Sequence, residues 1–172
     1  MRAKGIFCFL IQVCRPLPGI LTFMAFNALE HTYVRIDLAK EQLEVALALF
    51  LDHQSFASAI TLAGAAEEIF GKALHRRGNQ SVLEWKLSHM QVFHELLPWK
   101  EFRPKSFFAE ENRTRNALKH FGENDTPTLT TNLEDAACWI LVRACENAKR
   151  LELDIARFND FDNWFYEHVV GI

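Results

Sequence analysis

The sequence predicts an all-α domain: an antiparallel bundle of four to five main helices closed by a short C-terminal helix. Three observations predict it. The 172 residues are 49% apolar and 24% charged, enough to bury one real core, and only seven are glycine and five proline, few for a chain of many strands and turns. Apolar residues recur at three- and four-residue steps through most of the chain. Capping residues and helix stops punctuate those stretches at helical lengths.

In the first helix Ile36, Ala39, Leu43, Ala46, Leu47 and Phe50 share one face, while Arg35, Lys40, Glu41 and Glu44 take the other. The second starts near Ser55 and stops at Gly78, behind His75, Arg76 and Arg77. Its small residues Ala59, Ala63 and Ala66 let another helix approach closely. The third opens with a capping box, Ser81 to Glu84, and runs through Leu87, Met90 and Leu97 until Pro98. After the connection "PWKEFRPKS", a fourth helix is expected from Ser106 to Gly122. The loop "GENDTPTLT" leads to a fifth, with a second capping box from Thr131 to Glu134 and an end near Leu151. In "FNDFDNWFYEHVV", Phe161, Trp164, Phe165 and Val169 would form one face of a last helix.

The domain is expected over residues 27–172, behind an extension at 1–26. That extension imitates a signal peptide, with Arg2 and Lys4 before the apolar run Ile6–Val13. Arg15, Pro16 and Pro18 break the run, and it is too short to span a membrane. Met24 offers a second start. Cys138 and Cys145 lie two helical turns apart, roughly 10 Å, too far for a bridge, so they read as reduced core thiols of a cytoplasmic protein. No Cys or His pair has the spacing of a zinc site, and no metal or cofactor is expected.

Charge is uneven along the chain. Residues 1–99 carry nine basic and nine acidic side chains, residues 100–120 six and three, and residues 121–172 four and ten. The basic segment contains Lys100, Arg103, Lys105, Arg113, Arg115 and Lys119. Two readings fit it: a patch that attracts phosphates, with Arg103, Lys105 and Arg113 as RNA contacts, or scattered cations that solvate a loop and a helix face.

Within that segment lies "NRTRNALKHFG", Asn112 to Gly122. Asn112, Asn116 and His120 stand four apart, a polar row that should meet something other than the core of its own bundle. Arg115 lies about 140° away around the axis, but its side chain is long enough to swing toward the row. A local account also fits, with Glu111 and Arg115 as an i,i+4 pair and His120 favoured at a helix C-terminus.

"RNALKH", Arg115 to His120, resembles the signature of the HEPN superfamily, the "higher eukaryotes and prokaryotes nucleotide-binding" helical domains: Arg, a polar residue, three residues, His. Arg113 also precedes His120 at a tolerated spacing but is followed by Thr114. "LAGAAEEIFGKALHRRG" is similar to the Ala-rich helix with two glutamates of members linked to abortive infection. The resemblance implies a metal-independent endoribonuclease, a toxin or phage-defence effector, working at a composite site between two copies. RNA cleavage without a metal needs a base for the 2′-hydroxyl, an acid for the leaving 5′-oxygen and positive charge on the phosphate. The resemblance gives His120 the proton-transfer role, Arg115 the phosphate and Asn116 the orientation of either; Asn112 and Lys119 stand beside them. Since one histidine cannot readily be both acid and base, a twofold homodimer supplies the second. Glu67 and Glu68 either approach the signature, as an acidic residue does in the family, or form a solvated pair. The alternative function is a non-catalytic module binding a nucleotide, a nucleic acid or a protein partner such as a cognate antitoxin.

Overall fold

The computed structural model describes residues 30–96, 102–123 and 125–172. By its internal contacts the chain divides into Met1–Thr32 and Tyr33–Ile172, and every described helix lies in the second unit. The expected extension, with Cys8 and Cys14, and the residues Leu97, Pro98 and Lys100 fall outside the described residues.

The fold is all-α. Among the described residues there are seven α-helices and no strand: α1 Arg35–Leu51, α2 Phe56–Arg76, α3 Val82–Leu96, α4 Pro104–Glu111, α5 Arg113–Lys119, α6 Leu133–Arg150 and α7 Phe158–Phe165, followed by a π-helical turn, Tyr166–Val170. Among these residues no helix is long and apolar enough to cross a membrane.

The connection between α1 and α2 is short, so the two form an antiparallel hairpin. α2 is the axis of the bundle. Ala59, Ala63 and Ala66 are fully buried on it, and their small side chains let α1 and α6 come close. Leu43 and Leu47 of α1, Ile60, Phe70 and Leu74 of α2 and Leu141 of α6 fill the centre. Gly64 faces Ile140, Glu67 faces Arg143 and Gly71 faces Asn147, so α6 follows α2 in the same sense. Cys138 and Cys145 are free buried thiols, each pushed up to about 12 by burial, and they stay protonated at physiological pH.

Local signals act largely as expected at α2 and α3. Ser55 stands at the N-cap of α2, and Gly78, at φ +76°, takes the left-handed turn after it. At α3 the Ser81 N–H donates to Glu84 Oε2 (2.9 Å) while the Glu84 N–H donates to Ser81 Oγ (3.3 Å), a closed capping box.

Three expectations need correction. The helix expected from Ser106 to Gly122 is two helices with a break at Asn112; Pro104 begins the first at N1, and the second ends at Lys119. At the break the Asn112 amide donates to the Phe108 carbonyl (3.0 Å), and the α6 guanidinium of Arg143 donates to the Glu111 carbonyl (3.2 Å) and to Asn112 Oδ1 (3.1 Å). The second capping box does not form. Asn132, not Thr131, caps α6 by accepting from the Asp135 N–H (3.1 Å), and the Thr131 hydroxyl instead meets that of Thr114 (3.0 Å). In the last helix Phe161 is buried and Trp164 and Phe165 pack on the core, but Val169 is exposed, because it lies in the π turn, whose wider spacing rotates it off the stripe.

Candidate functional site

α6 carries two polar residues on its buried face. Ile140, Arg143 and Asn147 follow one another at steps of three and four, and Asn147 is fully buried, accepting from the Val82 N–H at 2.9 Å. Arg143 reaches Glu67 Oε1 through Nε (3.5 Å) and Glu111 Oε2 through Nη1 (3.4 Å). The other oxygen of Glu67 meets Arg115 Nη1 at 3.3 Å, so one buried carboxylate lies between two guanidiniums. Arg115 Nη2 donates to Glu68 Oε2 at 2.7 Å, and Lys86 pairs with Glu111 at the same distance. Three cations, Lys86, Arg115 and Arg143, thus face three carboxylates, Glu67, Glu68 and Glu111, tying α2, α3, α4, α5 and α6 together.

Two local alternatives are thereby corrected. Glu111 does not pair with Arg115; it turns to Lys86 and Arg143, while Arg115 crosses to α2. Glu67 and Glu68 are not a solvated pair: Glu67 is buried, only Glu68 is exposed, and both meet Arg115. Arg143 was missed by sequence reasoning. Its signal was present, since an Arg and an Asn stand four apart on the same side as Ile140, where an ordinary amphipathic helix keeps apolar residues.

The remaining candidates are distributed as follows. Asn112 is held by Arg143. Asn116 and His120 are exposed and border an open hollow of about 580 Å³ beside Pro127–Leu129. His120 is the first residue past α5, with extended backbone (φ −125°, ψ 134°), and its N–H donates to the Asn116 carbonyl at 2.9 Å. Lys119 and Arg115 border a separate hollow of about 300 Å³ with Glu68. Within one chain, then, Arg115 and His120 open onto different hollows. Arg103 caps α4 and Lys105 lies in its first turn, both exposed; Arg113 pairs with Glu110 at 3.4 Å on the surface.

Two carboxylates sense pH. Glu68 is held below the usual carboxylate range by the hydrogen bond from Lys72 and, less strongly, by Arg115; Asp52 is lowered by its hydrogen bond from Arg157, which also pairs with Asp160 and fastens α7 to the end of α1. Both pKa values lie lower folded than unfolded. The stability they contribute is therefore complete above the unfolded carboxylate value, about 4, and is lost as pH falls through the folded values. We expect urea midpoints to fall on acidification below about pH 5, and the double variant Asp52→Asn, Glu68→Gln to show a shallower fall. An unchanged slope would refute this origin.

No family model, curated protein or solved structure matches this chain.

Proposed function

We propose that the chain is a HEPN-type, metal-independent endoribonuclease that cleaves RNA by 2′-hydroxyl attack at a composite site between two copies. The observation that carries this reading is the placement of His120. Its ring is exposed just past the end of α5, beside Asn116, and the surrounding surface bears Leu118, Phe121 and Leu129, all exposed. Such apolar exposure suits contact with a second copy. Arg115 and Lys119 supply the positive charge for a phosphate in their own hollow. Glu68 yields Arg115 at small cost because it already has a second partner, Lys72, at 2.6 Å. The partner's His120 then completes what one chain keeps apart.

A second reading, a non-catalytic module binding a nucleic acid or a protein, has its own support: Arg115 is already matched by two carboxylates. One experiment separates the two. Purified protein is incubated with single-stranded RNA in excess chelator, and we expect cleavage leaving 2′,3′-cyclic phosphate ends. His120→Ala should lower the rate roughly a hundredfold or more, the scale of a lost general acid or base. Equal rates, or no cleavage by either, overturn the ribonuclease reading. A monomer by light scattering at micromolar concentration overturns the composite site.

A further inference from the structure

A different cavity, of about 430 Å³, opens between α3, α5 and the first turns of α6. Its size falls within the range of small-molecule sites. One wall is apolar, formed by Ile60, Ala136 and Ile140 and by the indole of Trp139, which is 48% exposed. That ring is exposed but not loose. Its Nε1–H donates to Asp135 Oδ1 at 3.1 Å, and it packs edge-to-face on Phe165 with centroids 5.9 Å apart. An indole fixed at two edges is a ready surface for a flat ring to stack upon.

Beside it stand polar groups with capacity to spare. Asp135 spends one lone pair of Oδ1 on the indole, leaving the second and the whole of Oδ2 to accept. Asn132 spends its carbonyl oxygen on the helix cap, leaving its amide to donate. At the rim, among the described residues, Arg113 pairs with exposed Glu110 at 3.4 Å, a surface pair that a phosphate displaces cheaply. Lys86, Arg115 and Arg143 are already matched by Glu67, Glu68 and Glu111, so Arg113 is the cation that an anionic ligand can reach.

We infer that this cavity seats a guanine nucleotide, as a free mononucleotide or as an unstacked residue of an RNA strand, with the base on Trp139, its paired N–H donors on Asp135 and its phosphate on Arg113. Guanine is favoured because its Watson–Crick edge presents two adjacent donors to one carboxylate. The inference extends the RNA reading, and its test reports separately from cleavage.

Isothermal titration of the full chain with GMP, AMP and CMP forms the first arm; the second uses hexauridylate and the same hexamer with one guanosine. Saturable binding with GMP ahead of AMP is expected, weakened at least tenfold by Trp139→Ala, partly restored in Trp139→Phe, and with the guanine preference removed by Asp135→Asn. Circular dichroism establishes that each variant is folded. Binding in the mononucleotide arm marks a free nucleotide as a ligand, and binding in the oligonucleotide arm alone marks an RNA residue. If neither arm binds, or if Trp139→Ala binds equally well, the inference fails even where RNA is cleaved; nucleotide binding without cleavage defeats only the ribonuclease reading.

Discussion

Arg143→Ala is expected to lower the free energy of unfolding by about 3–5 kcal/mol, the cost of removing one partner from a buried ion pair. Arg143 is 6% exposed, and its guanidinium faces Glu67, itself 5% exposed, as well as the Glu111 carboxylate and carbonyl. Without it, Glu67 keeps only Arg115, the end of α4 loses its carbonyl partner, and Asn112 Oδ1 loses its donor. Desolvation, not lost attraction, sets the size of the effect, and this can be tested directly. Arg143→Met retains bulk but strands the same carboxylate, so it should cost nearly as much. The double variant Glu67→Gln, Arg143→Met strands no charge on Glu67 and should recover part of the loss. Urea denaturation of the four proteins measures all of this. A loss below about 1 kcal/mol for Arg143→Ala, the scale of an exposed pair, would refute the claim that this cluster holds the helices together.

The same cluster explains what could be read from the sequence and what could not. α1, α2 and α6 were legible because each buries an apolar stripe, and a stripe is written in its own residues: Leu43 and Leu47, Ala59, Ala63 and Ala66, Leu141 and Ala144. The Ser81–Glu84 box was legible because capping is a short-range exchange of hydrogen bonds. The break at Asn112 was not. The Glu111 carbonyl and Asn112 Oδ1 take their donors from Arg143, which lies more than thirty positions along the chain, and they add to a local bond from the Asn112 amide to the Phe108 carbonyl. Thr131 and Asn132 both make good caps, and the choice between them was settled by Thr114, again from another helix. At the site, the meeting of Glu67 and Glu68 with Arg115 was one of two stated possibilities, and the structure selects it. Arg115 and His120 open onto two hollows because Arg115, already about 140° around the axis from His120, turns to Glu67 and Glu68 on α2 instead of swinging back toward the polar row.

Gly64→Val should cost about 3 kcal/mol, the upper part of the usual range for forcing extra methyl groups into a packed interior. A β-carbon at position 64 would lie 2.8 Å from Cδ and 2.9 Å from Nε of Arg115, and 3.1 Å from Cδ1 of Ile140. The obstacle on one side is the middle of an arginine whose far end is held by Glu67 and Glu68; on the other it is a buried side chain of α6. Neither moves away freely. Gly64→Ala meets the same atoms but gains helix propensity of about 1 kcal/mol, so the two effects oppose and its net cost should be much smaller than that of Val. The source of the cost can be assigned by a double-mutant cycle. If Arg115 is the principal obstacle, Gly64→Val should cost distinctly less in an Arg115→Ala background than in the unaltered chain, a coupling of about 1 kcal/mol or more. Additivity would show instead that Ile140 and the α2–α6 packing bear the clash. Glycine at this position is thus tied to the passage of one guanidinium across the face of α2.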